Sequence, residues 1–238
     1  MSKNLLFTSA GDNTLFHKLW VSNEQNYDIA VIYYGKSAVK FKKYTNKVKY
    51  CERRQGSKFQ NFYYFYHKYP EVIKAYDRFF IVDDDIIINV SDINKMFELS
   101  EIHNFSICQP SFKPESKISH KITIHVPKSS FRYTNFIEVN VPIFTTNALH
   151  NLMKHYDPKL IGWGIDYLYI WANGISEKQS YAIVDEVNCI NPYDCNKRVF
   201  KRELSNIKNW RQRGKIWEKY ANEIGCPPYF TQCVHSQH

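Results

Sequence analysis

Three consecutive aspartates, Asp83-Asp84-Asp85, end the apolar run Phe79-Phe80-Ile81-Val82. A continuously apolar run of this kind suits a strand buried on both faces of a sheet. Along a strand, alternate side chains share a face, so Asp83 and Asp85 are expected to point one way and Asp84 the other. Ligands of open α/β sheets bind beyond the carboxyl ends of strands. Two carboxylates delivered there make a hard, oxygen-rich site for Mn²⁺ or Mg²⁺, and a cation so held neutralises a diphosphate leaving group. Read instead as a plain acidic turn, the triplet leaves three repelling carboxylates uncompensated. The pattern fits glycosyl transfer, nucleotidyl transfer and metal-dependent hydrolysis alike.

A second chemical cluster is Gly162-Trp163-Gly164-Ile165-Asp166-Tyr167. Two glycines around a tryptophan make a tight backbone that presents an indole, a platform for the C–H face of a sugar ring. Asp166, held near that ring, can take a proton from an attacking hydroxyl. The plainer alternative is a core tryptophan at a turn, with Asp166 capping the following helix. Outside the clusters, Lys58 reads either as a phosphate contact or as a solvated lysine, and Arg132 as a diphosphate clamp without visible geometry. His17 is expected to be structural, and His120 and His125 to lie at the surface.

The elements that must position these residues alternate in the rhythm of an α/β domain. Strands are expected at Leu5–Thr8, Ile29–Tyr34, Phe79–Val82, Ile137–Ile143 and Ala182–Val184. A helix with an aromatic stripe is expected over residues 58–76, broken or restarted at Pro70. Asp92 is expected to cap a helix through Leu99, and Thr146 or Asn147 one through His155. Towards the C-terminus Phe200, Leu204, Ile207, Trp210, Gly214, Trp217, Ala221 and Ile224 recur at threes and fours. They predict an amphipathic helix packed on the main domain. The expected division is 1–195 for that domain and 196–238 for a basic helical extension.

The 238 residues carry a formal charge of +9, with 44% hydrophobic and 23% charged residues. That balance excludes disorder, collagen-like repeats and coiled coils. Much of the excess is local. Nine Lys/Arg face only Glu203 and Glu218 between Lys197 and Lys219, and eight face only Glu52 between Lys36 and Arg54. Either segment can touch an anionic acceptor or, weakly, a membrane surface. A basic nucleic-acid-binding module is an alternative function, with aromatics (16% of the chain) for stacking. The acidic triplet argues against nucleic acid as a partner. Nucleotidyl transfer, a second alternative, usually wants a glycine-rich phosphate loop, and no such pattern is present. Six cysteines without a C-x-x-C pair, and no leader or membrane span read from the sequence, give an expectation of reduced thiols and a cytoplasmic protein.

The two clusters in this order resemble a glycosyltransferase of the GT-A type. More narrowly the chain is similar to a plant and bacterial family once labelled lysine-ketoglutarate reductase-related. The matching pieces are Ala10-Gly11-Asp12-Asn13 with His17 and Trp20, Tyr33-Tyr34-Gly35, Lys58, Tyr76-Asp77 through Asp85, Gln109-Pro110, Glu138-Val139 to Phe144, Gly162 to Asp166, and Val184-Asp185. The resemblance covers roughly residues 4–192. It implies an α/β fold with a mixed, mainly parallel sheet flanked by helices. It also implies transfer of a sugar from a nucleotide-diphosphate-sugar donor to a glycan or other hydroxyl acceptor. In that reading Asp83 and Asp85 hold the metal. Thr8, Asp12, Asn13, Lys58, Asp83 and Asp84 meet the donor nucleotide, and Trp163, Gly164 and Tyr167 meet the acceptor sugar. Asp166 is the base of an inverting displacement, or an acceptor-positioning group if the mechanism retains configuration. The family pattern expects a metal-binding histidine near the last strand. Here Val187 to Pro192 has none, which leaves Asn191 as the substitute.

Overall fold

The computed structural model describes residues 3–193 and 207–238. In chain order the elements are β1 (Asn4–Ala10), α1 (Phe16–Leu19), β2 (Asp28–Tyr33), α2 (Ala38–Thr45), β3 (Tyr50–Arg53), α3 (Lys58–Lys68), α4 (Pro70–Lys74) and β4 (Arg78–Ile81). There follow α5 (Val90–Ile102), β5 (Ile107–Phe112), β6 (Phe131–Thr134), β7 (Ile143–Thr145), α6 (Thr146–His155), α7 (Ile165–Asn173), β8 (Tyr181–Cys189), α8 (Arg213–Glu223) and β9 (Val234–Gln237). Pro70 separates α3 from α4 and stands at the first turn of the second, where its missing N–H costs nothing. The cap of α5 is Asn89 rather than Asp92: the Asn89 side chain accepts from the Asp92 N–H at 2.8 Å.

The described strands form one sheet in the order β3-β2-β1-β4-β7-β5-β8-β6-β9. Pairings β1–β2, β1–β4, β2–β3 and β5–β8 are parallel, whereas β4–β7, β5–β7, β6–β8 and β6–β9 are antiparallel. All strands but β6 and β7 therefore point one way. The expected mainly parallel sheet holds in direction, but its pairings divide evenly because those two strands are threaded between parallel neighbours. β1 alternates Leu5 and Phe7 into one core with Leu6 into the other. The first core is closed by α3, α6, α7 and α8, the second by α1 and α5. Burial on both faces explains why its strands read as unbroken apolar runs.

Two further departures shape the site. Of the strand expected over 137–143 only Ile143 belongs to β7; residues 137–142 form a connecting segment. Pro142 has no N–H for a ladder, and the carbonyl of Asn140 instead accepts from the Asp83 N–H at 2.9 Å. The expected division near residue 195 and the stripe residues Phe200 and Leu204 lie outside the described residues. Beyond them the chain is helical only in part: after α8 it returns to the sheet as β9, an edge strand antiparallel to β6.

α8 is bolted down by Trp217, which is fully buried and donates its Nε1–H to the Pro228 carbonyl at 2.9 Å. Its indole lies against Gly164, whose φ of +77° places it in the left-handed region at the N-cap of α7. A Cβ at residue 164 would overlap the indole. Trp217→Ala is expected to cost about 3–5 kcal/mol, lowering Tm by roughly 2–4 °C per kcal/mol in a chain of this size. Gly164→Ala combines left-handed strain with overpacking and is expected to cost about 2–5 kcal/mol. Gly162 also has positive φ, but a Cβ there meets open space, so Gly162→Ala should cost about 1–2 kcal/mol. Thermal unfolding of the three variants checks this ranking.

Candidate active site

A cavity of about 420 Å³ opens where six parts of the chain converge. The N-terminus of α3 contributes Ser57, Lys58 and Phe59, and the turn after β4 contributes Asp83. The connecting segments contribute Ser119, His120, Glu138, Val139 and Asn140. The turn into α7 supplies Ile161 to Gly164, Asp166 and Tyr167, and the C-terminal part supplies Trp210, Arg213 and Tyr229.

Strand β4 ends at Ile81, so the aspartate triplet lies in the following turn, where strict alternation no longer applies. Each carboxylate has a different setting. Asp83 faces the cavity and accepts from Lys58 Nζ at 2.8 Å. Lys58 also donates to the carbonyls of Val139 (2.7 Å) and Asn140 (3.0 Å), which uses all three hydrogens of its ammonium. Burial pulls the Lys58 pKa down, while the charges of Asp83, Asp85 and Glu138 oppose that. Asp84 turns to the first βα turn and accepts from the Gly11 N–H at 2.8 Å. Burial, then the charge of Asp85, pushes its carboxyl up to about 7. Asp85 does not line the cavity.

A metal centre at Asp83 and Asp85 would have to compete with these settings. One oxygen of Asp83 is already paired with a buried ammonium, and an incoming divalent cation would have to displace it. The Asn191 amide donates to the Lys117 carbonyl at 3.1 Å. Among the described residues no three His, Cys, Asp or Glu side chains converge as a metal-ligand group.

Across the cavity sits Asp166, in the first turn of α7 and almost fully buried. Its Oδ1 accepts from the Tyr167 N–H at 3.1 Å, yet burial lifts its carboxyl to about 7. Glu138, equally buried, is raised to about 8 by burial and then by the charge of Asp166. Asn140 Nδ2 donates to its Oε1 at 2.7 Å. Both carboxyls are thus held above the usual carboxylate range by burial, so each can hold or exchange a proton near neutrality.

The mouth is aromatic. Trp163 is 45% exposed and donates Nε1–H to the Tyr229 hydroxyl at 3.2 Å. The Arg213 guanidinium lies 3.8 Å from the Trp210 ring and 5.2 Å from that of Trp163. Tyr167 meets Tyr229 and Phe230 edge to face at 5.3 and 4.9 Å.

The fold thus gathers Lys58, Asp83, Trp163, Gly164, Asp166 and Tyr167 around one space. The remaining expected donor contacts sit elsewhere. Thr8 is fully buried within β1, not in the turn after it. Asp12 accepts from the Tyr33 hydroxyl, and its carbonyl accepts from Lys40 Nζ at 2.5 Å. Burial would raise the Asp12 carboxyl, but the Tyr33 hydrogen bond and the Lys40 charge bring it below its usual value. Asn13 is exposed. Asp84 ties this turn to the cavity side. Arg132 is no clamp: it is buried, paired with Asp185 at 2.8 Å, and donates to the carbonyls of Ile122 and Ile124. His120, expected at the surface, lines the cavity with 24% of its side chain exposed. Glu138, read only as part of the family match, and Arg213, read only as one of nine basic residues, were given no site role; the topology brings both to the cavity.

A family model described as "Protein of unknown function (DUF707)" matches residues 12–135, just over half the chain. Among solved structures the chain is similar to S. aureus TarS. It is 12% identical to TarS 1-349 in complex with UDP-GlcNAc, with 93% of this chain covered and a TM-score of 0.58. For TarS 1-349 in complex with UDP the TM-score is 0.54 at the same identity and coverage. This chain spans 66% and 65% of those chains, and 39% of a longer TarS chain. At that identity the likeness is one of fold. No curated protein matches. These matches lend no support to the lysine-ketoglutarate reductase-related label. No described helix is long and apolar enough to cross a membrane.

Two outcomes follow from the electrostatics. Raised carboxyls hold protons in the folded state that the unfolded chain has released, from about pH 4 up to about 7 or 8, so stability falls as pH rises across that window. Asp166→Asn and Glu138→Gln remove this penalty; near pH 8 each should melt several degrees above the wild type, the gap narrowing towards about pH 4. For the cation site, Mn²⁺ and EDTA should leave the wild-type Tm unchanged, whereas Lys58→Met, which vacates Asp83, should gain stability with Mn²⁺.

Proposed function

The chain belongs to the family described as "Protein of unknown function (DUF707)", and we propose that it transfers a sugar from a nucleotide-diphosphate-sugar donor to a hydroxyl-bearing acceptor. The observation that carries this reading is Asp166: a buried carboxyl lifted to about 7, facing an aromatic-mouthed cavity. A fold similar to that of TarS, a protein solved with UDP-GlcNAc and with UDP, supports it.

In this reading the acceptor hydroxyl gives its proton to the Asp166 carboxylate as its oxygen attacks the anomeric carbon of the donor sugar. The bond from that carbon to the diphosphate oxygen breaks on the opposite face. Its electron pair leaves with the nucleoside diphosphate, and the configuration inverts. Trp163, Tyr167 and Tyr229 offer ring faces and edges to the sugars. Glu138, its carboxyl also raised by burial, is held by Asn140 Nδ2 at 2.7 Å. Of the cationic side chains lining the cavity, Lys58 is committed to Asp83 and two carbonyls, and Arg213 is the one assigned to charge on the diphosphate. No step is routed through Mn²⁺ or Mg²⁺ here, since one oxygen of Asp83 is paired with Lys58. The base and ribose are assigned to the turn of Gly11, Asp12 and Asn13, next to Asp84.

Screening UDP-, GDP- and dTDP-sugars by thermal shift identifies the donor, since a ligand of the folded state raises Tm by mass action. With that donor, Asp166→Asn should lose transfer by about 10²–10⁴-fold while keeping the donor-induced shift. Transfer at the wild-type rate in Asp166→Asn would overturn the role of Asp166. A full screen without any shift would overturn the nucleotide-sugar reading itself.

A further inference from the structure

We propose that His120 is a positioning residue for Asp166, held by Gln232 in the tautomer that carries its hydrogen on Nε2 and turns that hydrogen towards the Asp166 carboxylate. The inference rests on the reading of Asp166 as the proton acceptor, and its geometry stands independently.

Gln232 Nε2 donates to His120 Nδ1 at 2.7 Å and to the Tyr167 hydroxyl at 3.3 Å. Both amide hydrogens are then used. A ring nitrogen that accepts bears no hydrogen, so the neutral imidazole must carry it on Nε2. That nitrogen stands 4.0 Å from Asp166 Oδ2. The separation is longer than a hydrogen bond, as catalytic contacts often are before substrate closes them. The ring is also held in place sterically. It packs against Phe136 at 4.5 Å between centroids, and Phe136 packs in turn against Tyr167 at 5.5 Å. The His120 carbonyl accepts from both the N–H and the hydroxyl of Thr123, so the main chain is fixed as well.

Gln232 is itself anchored. The next residue, Cys233, donates its N–H to Asn135 Oδ1 at 2.8 Å and accepts at its carbonyl from Thr134 Oγ1 at 3.0 Å. The segment leading to β9 therefore sets the protonation geometry of a ring about a hundred residues earlier. Burial, the largest influence on the ring, lowers the His120 pKa. A neutral N–H steadies the carboxylate without lending it a full positive charge, which would weaken it as a base.

The other titratable groups facing Asp166 are Glu138, Tyr167, Tyr169 and Tyr229. The tyrosines are all raised above their ordinary range by burial, so they stay neutral where Asp166 titrates. Glu138 titrates higher, at about 8. Lys58, Asp83 and Arg213 complete the charged lining of the cavity.

The experiment uses the full chain labelled with ¹⁵N-histidine, with the His120 ring signals assigned by their loss in His120→Asn. The expected pattern near neutral pH is a bare Nδ1 and a protonated Nε2. Gln232→Glu replaces the donor by a carboxylate, so Nδ1 should become protonated and the ring charged. A protonated Nδ1 in the wild type, or a bare one in Gln232→Glu, overturns the assignment. In transfer assays the acid limb of the kcat–pH profile of Gln232→Glu should move down by about one pH unit, with the donor-induced thermal shift retained. An unmoved limb overturns the positioning role. Loss of transfer in the wild type with every donor would instead defeat the functional reading, and the ring signals would still decide the tautomer.

Discussion

The indole of Trp217 fills the space that a side chain at residue 164 would need, and much of the site depends on that close approach. It demands glycine at the N-cap of α7, and so fixes where the helix starts. Asp166 then falls in the first buried turn. The same indole bolts α8 to the core, which brings Arg213 and Tyr229 to the mouth of the cavity. The C-terminal segment is therefore a wall of the site, and its last residues close the sheet edge at β6.

Charge is distributed across this cavity by burial more than by ion pairing. On one side the Lys58 ammonium neutralises Asp83 and ties the connecting segment down at two carbonyls. On the other, burial is the largest influence on Asp166 and Glu138, and both rise towards neutral values. The site thus combines one carboxylate paired with a buried ammonium and two carboxyls desolvated by burial. The buried carboxyls lower stability near neutral pH, the usual relation between a poised group and the fold that holds it.

What was legible in the sequence was local. Phe79 to Asp85 announced a buried strand and a carboxylate-bearing turn, and Pro70 marked the break between α3 and α4. Gly162 to Asp166 announced a tight turn before a carboxyl that the fold buries at the cavity. The partners were not legible, because they are set by long-range packing. Lys58 meets Asp83 and the 138–140 segment only after β4 and β7 pair, and His120 meets Asp166 and Gln232 across the sheet. The segment 137–143 misled because Ile137, Val139, Val141 and Ile143 alternate as a strand would. Pro142 and the buried polar groups of Glu138 and Asn140 make it a site-lining connection instead. Arg132 misled in the opposite sense, since a basic residue in a strand suggests a ligand until its buried partner Asp185 is seen.

The most direct measurement of the central claim, that Asp166 receives the acceptor proton, is the pH dependence of nucleoside diphosphate release by the wild-type chain with its donor and acceptor. The predicted profile rises through an apparent pKa of about 7, following the carboxyl that burial has raised. A rate that stays level down to the ordinary carboxylate range, about pH 4, would contradict it.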